Sequence, residues 1–112
     1  MQIGNYNDLN LKMTRGDTFA FGFMVEGLES QALATAYLTV KRNYDDATPL
    51  VQKSLTDGIT TDDNITYKVR IAPADTASLE VGKYYYDLQI GVNGDIYTIL
   101  KGILDLEKDV TN

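Results

Sequence analysis

The fold is decided by the stretch Lys83-Tyr84-Tyr85-Tyr86-Asp87-Leu88-Gln89-Ile90. Four of its residues form one apolar set, and the residues between them are mostly polar: the apolar set is Tyr84, Tyr86, Leu88 and Ile90. Successive side chains of a β-strand point to opposite faces, whereas a helix repeats about every 3.6 residues. The stretch therefore predicts a strand that buries one face.

The same period of two recurs along the chain. It is found in residues 9–13, 19–25, 36–40 and 65–71 and in a long final run, 95–108, while residues 50–55 alternate less well and suggest an edge strand. Because each run has one face to bury, two packed sheets are the usual solution. The sequence predicts a single all-β domain, residues 1–112, built as a β-sandwich of about seven antiparallel strands.

Turn residues separate these runs. Asn93-Gly94 indicates a type I′ hairpin because both residues tolerate a positive φ. Arg15-Gly16-Asp17 indicates a tight turn between the first two strands, and Asp57-Gly58 with Asp62-Asp63-Asn64 marks another connection. Asp75 is expected to cap a single helical turn near residues 75–80 by accepting hydrogen bonds from backbone amides.

The final run, residues 95–108, is harder to assign to faces. We expect its inward side chains to be Ile96, Leu100, Leu104 and Leu106, with Ile99 and Ile103 on the other face. Gly102 lies where a β-bulge could shift the register. This long terminal strand is also predicted to offer an edge for pairing with another chain.

Composition limits the function classes. The 112 residues carry a formal net charge of −6 with a pI of about 4.4, so nucleic acid and anionic membrane surfaces are unfavourable partners. No apolar stretch is long enough to cross a bilayer, and Met1-Gln2-Ile3-Gly4-Asn5 has no export-signal pattern. The absence of cysteine fits a reducing compartment such as the cytoplasm, or a particle assembled in one, although many secreted bacterial domains also lack cysteine.

Catalytic chemistry has little support. Histidine and cysteine are both absent, which removes the commonest general base, the thiol nucleophile and the preferred zinc ligands. The carboxylate pairs Asp45-Asp46 and Asp62-Asp63 each lie in a predicted loop, and two adjacent carboxylates do not by themselves make an acid–base dyad. We therefore predict no enzyme, and we assign no catalytic, cofactor-binding or metal-binding residue.

Two short patterns have a functional and a structural interpretation. Asp57, Asp62 and Asp63 offer the oxygen ligands that Ca²⁺ prefers, but their spacing matches no EF-hand loop, and aspartates between strands usually form turns. Arg15-Gly16-Asp17 matches a tripeptide that integrins bind, but three residues recur by chance and also suit a turn.

The eight tyrosines point to a contact surface. Tyr67, Tyr84 and Tyr86 fall on predicted inner faces, and the outer faces receive a second set that we predict to form a protein interface: Tyr37, Tyr85, Tyr97 and Ile99. Tyrosine is enriched at interfaces because it buries a large area and keeps one polar group. The alternative interpretation is ordinary cross-strand pairing on a solvated sheet.

Residues 75–88 resemble the corner before the sixth strand of immunoglobulin-type sandwiches, where a tyrosine hydroxyl bonds back to the crossing loop. Tyr84 fits that role best, and Tyr86 is the other candidate. The antibody disulfide and buried tryptophan are absent, so the likeness is to the architecture.

The order of segments is similar to small immunoglobulin-like domains of tailed phages and prophages, in particular the N-terminal domain of baseplate upper proteins. Five segments carry this resemblance: residues 15–19, 36–42, 71–76, 82–88 and 99–102. The resemblance implies a virion structural protein of the baseplate, tail or head-neck region, with other phage structural proteins as partners and self-association left open. The alternative is a carbohydrate-binding or adhesion module, with tyrosine as the stacking residue.

Overall fold

The structure is a computed structural model that describes residues 7–25 and 31–110. The segment Met1–Asn5, in which the sequence shows no export signal, lies outside the described residues. The described part contains nine strands and one short helix. In chain order they are β1 (Asn7–Asp8), β2 (Leu11–Thr14), β3 (Phe19–Met24), β4 (Thr35–Lys41), β5 (Val51–Leu55), β6 (Gly58–Thr61), β7 (Thr66–Ile71), α1 (Pro73–Thr76), β8 (Gly82–Val92) and β9 (Asp95–Glu107).

All nine strands belong to one hydrogen-bonded sheet, in the order β1-β9-β8-β4-β5-β6-β7-β3, with β2 also beside β9. We call β5, β4, β8 and β9, with β1 and β2, the larger half, and β6, β7 and β3 the smaller half. Among the described residues, the halves are joined by two cross-strand pairs, Ser54 with Gly58 and Leu55 with Ile59, and both pairs are parallel. The all-β prediction is confirmed, with almost no helix.

Both halves contribute side chains to one hydrophobic cluster. The strands of the smaller half supply Phe23, Ile59, Tyr67, Val69 and Ile71, all at most 3% exposed. The larger half supplies the residues that alternate along β4, β8 and β9, among them Ala36, Leu38, Val40, Tyr84, Tyr86, Leu88, Ile90, Leu104 and Leu106. The sheet therefore closes over a shared interior, as its period of two predicts. Tyr67, Tyr84 and Tyr86 are confirmed as core residues, at 1%, 2% and 4% exposure.

Local signals in the sequence also appear where they were expected. Asn93 and Gly94 have φ values of 54° and 85° in the β8–β9 hairpin, as a type I′ turn requires. The Tyr84 hydroxyl donates to the carbonyl oxygen of Glu80 at 2.5 Å, which confirms the tyrosine corner. Asp75 accepts from the backbone N–H of Ala72 at 2.7 Å and so caps α1, which begins two residues earlier than predicted.

The structure differs from the prediction in the number of strands and in the direction of some strand pairs. The sequence indicated about seven antiparallel strands. The structure adds the two-residue β1 and also β6, which forms in the segment predicted to be a connection. The pairs β1–β9, β2–β9 and β5–β6 are parallel. Thr56 and Gly58, with φ values of 67° and 97°, turn the chain sharply enough for β6 to begin at once.

The face assignment of β9 is wrong before its bulge. Leu88 pairs with Leu100, but Gln89 pairs with Thr98, so Ile99 is an extra residue on β9. A one-residue insertion exchanges the faces of every side chain beyond it. Leu100, Leu104 and Leu106 are buried as expected, whereas Ile96 is 62% exposed and Ile99 is only 1% exposed.

Gly102 has a different role from the predicted bulge. A Cβ at residue 102 would lie 2.3 Å from the carbonyl oxygen of Leu9, so the glycine lets the N-terminal segment cross β9 closely. At this crossing the Tyr86 hydroxyl donates to the same Leu9 oxygen, and the Ile103 N–H donates to Asn10 Oδ1 at 3.1 Å. Here the chain passes from β1 to β2.

The expectation that β9 offers an open edge is also wrong along most of its length. β8 lies along one side, and β1 and β2 pair in parallel with the other side from Leu100 to Glu107. Arg15, just after β2, closes this edge with hydrogen bonds to Asp109 Oδ1 at 3.2 and 3.0 Å. Asp109 is 7% exposed, so this ion pair fixes the chain beyond β9.

Candidate contact surface

A groove of about 390 Å³ lies on the outer face of the larger half. Strands β4, β5, β8 and β9 form its floor, and the loop between β4 and β5 forms one wall through Tyr44, Ala47 and Pro49. The loop is held by its own turn, in which the Asn43 N–H donates to Asp46 Oδ2 at 3.0 Å. The groove therefore has a floor of four strands and a wall formed by one loop.

Cross-strand pairing determines which side chains form the floor. Thr39 on β4 lies opposite Gln52 on one side and Asp87 on the other, and Asp87 lies opposite Lys101 on β9. Gln52 Nε2 donates to Thr39 Oγ1 at 3.2 Å across this row. Residues opposite one another in adjacent strands share a face, so a polar row crosses four strands.

A neighbouring row adds Tyr37 on β4, which pairs with Ser54 and Gln89. Tyr37 is 39% exposed, so its ring lies partly open to solvent beside the amide of Gln89. The floor therefore combines an aromatic ring with amide and hydroxyl groups, which can donate and accept hydrogen bonds.

The wall is attached to the floor by aromatic contacts. The rings of Tyr44 and Tyr85 stack with centroids 4.0 Å apart and an interplanar angle of 25°. Lys101 Nζ lies 5.6 Å from the Tyr44 centroid, within the range of a cation–π interaction. Tyr44 nevertheless keeps 59% exposure, so it presents the other part of its ring to solvent.

Asp87 supplies a carboxyl group to the groove, and the pKa of this group is shifted. Its partial burial raises the pKa of this carboxyl, and the charges of Lys101 and Lys41 oppose that rise. A carboxylate that has lost part of its hydration gains from donors brought by a partner. The site can therefore offer a hydrogen-bond acceptor close to two cations, Lys101 and Lys41.

The structure brings together only half of the predicted interface. Tyr37 and Tyr85 both line the groove. Ile99 is buried because of the bulge, and Tyr97 now pairs with Ile90 and packs partly buried against the core. The prediction that Tyr97 and Ile99 share the outer surface with Tyr85 is therefore wrong.

Most of the other groove residues were missed from the sequence, among them Tyr44, Gln52, Asp87 and Lys101. Gln52 and Lys101 occupy outward positions of β5 and β9, so a correct register would have placed them on this face. Tyr44 lies in a loop, and nothing in its sequence neighbours indicates that it folds back over Tyr85.

The acidic loops act as turns in this structure. Asp63 Oδ1 accepts from the backbone amides of Ile65 and Thr66 at 2.9 and 2.8 Å, and these hydrogen bonds lower the pKa of Asp63. Asp63 also borders a shallow depression of about 310 Å³ with Asp62, Thr60 and Lys68. Within residues 7–25 and 31–110 no group of three or more acidic side chains is arranged to hold a metal ion.

The Arg15-Gly16-Asp17 turn is engaged internally. Besides its bonds to Asp109, Arg15 donates to the carbonyl oxygen of Leu79 at 3.3 Å, and the Gly16 N–H donates to Thr76 Oγ1 at 2.9 Å. Through these contacts Arg15 joins the segment after β2 to the segment after β9. The interpretation of this tripeptide as a structural turn therefore has a physical basis.

No protein-family model matches the chain, and no curated protein is significantly similar to it. Within the described residues, no helix combines the length and apolar character needed to cross a bilayer.

Proposed function

We propose that this chain is a non-enzymatic assembly module of a phage or prophage particle, acting by protein–protein contacts through the groove. The observation that carries the proposal is the partly exposed pair Tyr37 and Tyr44 beside the desolvated carboxyl of Asp87. Aromatic residues around a few fixed polar groups are typical of interface anchors. The resemblance to phage immunoglobulin-like domains supports the proposed location in a phage particle. Neighbouring structural proteins of that particle are the proposed partners.

The finer fold is part of the same proposal. We interpret the larger and smaller halves as the two sheets of an immunoglobulin-like sandwich, joined at the short β5–β6 pair. The tyrosine corner at Tyr84 supports this interpretation. Sandwich domains of this type commonly present one sheet face to a partner, which is where the groove lies.

The test follows the intact protein into particles. Particles purified from the host are analysed by quantitative mass spectrometry, first for the chain itself and then for a Tyr37→Ser/Tyr44→Ser variant. We expect the chain in the particle fraction and about a tenfold loss of the variant, since two interface tyrosines contribute at that scale. The matched control is Val81→Ser, a side chain of similar exposure, 41%, outside the groove.

Two results would contradict the proposal. A chain that is made in the host but never found in particles removes the assembly role. Equal incorporation of the double variant and the Val81→Ser control moves the contact away from the groove.

A second candidate is carbohydrate binding, because the groove places Tyr37 and Tyr44 beside the amides of Gln52 and Gln89. Sugars bind by stacking on aromatic rings and hydrogen bonding to amides and carboxylates. A glycan array probed with the intact chain and with Tyr44→Ala separates the two functions. Sugar binding lost in the variant favours this second candidate, and an array without signal removes it.

A further inference from the structure

The smaller half ends at β3, and its outer edge has an unusual sequence. In the part of the chain that the structure describes, β7 is the only strand paired with β3. From Phe19 to Val25 the chain reads FAFGFMV, without a charged residue or a proline. Natural sheets usually protect open edges with lysine, proline or a bulge, because an open edge can pair with another strand.

The backbone register shows which groups face this edge. The Val25 N–H donates to the Ile65 carbonyl oxygen at 2.9 Å, so Val25 and Ile65 form a hydrogen-bonded pair between the two chain segments. Hydrogen bonding alternates along an antiparallel strand, so the backbone N–H and C=O groups of Phe23, Phe21 and Phe19 also face β7. The backbone groups of Ala20, Gly22 and Met24 therefore point to the open edge, and all three residues are exposed.

From this edge we propose that β3 pairs antiparallel with β3 of a second copy of this chain, across a twofold axis at Gly22. This register places Ala20 opposite Met24 of the second copy and Gly22 opposite itself. In this register the edge-facing backbone groups of Ala20, Gly22 and Met24 all find partners, with about six hydrogen bonds in total, two for each of three hydrogen-bonded pairs. Shifting the register by two residues leaves edge groups unpaired.

The side chains are also self-complementary about Gly22. In this register Phe21 lies opposite Phe23 of the second copy, and Phe19 lies opposite Val25, so apolar residues meet on the inner side. Small residues at 20 and 22 let the two backbones approach. A twofold contact uses the same patch on both copies, which the near-palindromic order of these residues provides.

Other edges of the described sheet differ in these respects. The edge opposite β3 is formed by β1, whose sequence includes Asp8, and by β2, which carries the exposed Lys12. Strand β3 is thus the edge without a charge. The surface is distinct from the groove, so the outcome below does not depend on the proposed function.

The test measures the mass of the intact chain by sedimentation velocity over a range of concentrations. A contact of one strand pair is small, so we expect a monomer of 12.4 kDa to dimerise reversibly with a Kd in the micromolar range or weaker. In the Ala20→Lys/Met24→Lys variant, lysines oppose each other twice, and we expect the Kd to rise about tenfold. Ala20→Lys/Met24→Glu places opposite charges face to face and should dimerise at least as well as wild type.

A charge-matched control is Ala74→Lys/Ser78→Lys, at exposed positions in α1 and just after it. It should dimerise like wild type, and circular dichroism confirms that each variant is folded. A wild-type chain that stays monomeric up to about 1 mM overturns the proposal, because even a weak specific contact is populated there. A dimer that the two-lysine variant leaves intact overturns it equally, since the interface then lies elsewhere.

Discussion

The larger half of the sheet carries tyrosines on its outer face and covers them partly with its own loop. The smaller half carries the small or flexible residues Ala20, Gly22 and Met24 beside the cations of Lys68 and Arg70. The larger half also closes its outer edge with β1 and β2, whereas β3 leaves its edge open in the described residues. One sheet thus carries both proposed contact surfaces, a face on the larger half and an edge on the smaller half.

The two edges also differ in the space that they leave around a glycine. At Gly102 the neighbouring backbone of Leu9 leaves no space for a Cβ. At Gly22 the nearest atom, the Tyr67 carbonyl oxygen, would lie 3.3 Å from a Cβ, a contact that a small shift relieves. The closed edge therefore needs its glycine, while the open edge tolerates replacement.

The largest effect on stability is expected from a substitution at the closed edge of the larger half. Gly102→Ala should lower the free energy of unfolding by about 2–3 kcal/mol, because the methyl group must displace the Leu9 backbone. Gly22→Ala should stay within about 1 kcal/mol of wild type. Urea unfolding of both variants measures the difference. If the two substitutions have equal effects, the close crossing of β9 is not a source of stability.

A smaller effect is expected from the hydrogen bond at the same crossing. Tyr86→Phe removes the hydroxyl that donates to Leu9, and we expect a loss of about 1 kcal/mol at neutral pH. Tyr37→Phe, at a partly exposed ring, is the matched control and should change little.

This bond also predicts a pH dependence. Burial raises the pKa of Tyr86 from 10.0 to about 12. Since the folded state holds the proton more tightly than the unfolded state, this contribution is complete below pH 10 and is lost as the pH rises through about 12. Alkaline unfolding should therefore be shallower in Tyr86→Phe between these values. Parallel curves for variant and wild type would contradict the assignment.

The smallest expected effect concerns the groove. Burial is the main cause of the raised pKa of Asp87, so its charged form is less favourable in the folded state than in the unfolded state. Stability from this group is highest below the ordinary pKa of 3.8 and falls as the pH rises through the higher folded value. Asp87→Asn should therefore raise Tm slightly at pH 7, and the gain should disappear towards pH 4.

Asp95→Asn is the control for this substitution, because it removes the same charge from an exposed position beside the β8–β9 hairpin. Thermal unfolding at several pH values gives the comparison. A lower Tm for Asp87→Asn at pH 7 would mean that Lys101 and Lys41 stabilise the carboxylate more than burial disfavours it.

The sequence predicted what depends on near neighbours. Alternation identified the main strands, Asn93-Gly94 identified the hairpin, and the spacing around Tyr84 identified the corner. The bulge at Ile99 was missed because Thr98, Ile99 and Leu100 contain no local signal for it. Register is set by pairing with β8, so the faces of Ile96, Tyr97 and Ile99 could not be assigned from β9 alone.

The groove was predicted in part for the same reason. Tyr37 and Tyr85 follow from strand alternation, and both line it. Its wall depends on Tyr44 stacking on Tyr85, a contact between a loop and a strand 41 positions later in the chain. The parallel placement of β2 beside β9 is equally non-local. Single-sequence patterns do not carry such information, because many loop paths satisfy the same local preferences.

The parallel pairing of β2 with β9 also constrains the order of folding. The hairpin of β8 and β9 joins neighbouring segments and can form as soon as both are synthesised, whereas Leu11 must await Leu104. During translation the earliest strand therefore leaves the ribosome without its partner. We therefore expect β2 to join the sheet only after β9 has been made, and the Arg15–Asp109 ion pair then holds the segments that follow these two strands together.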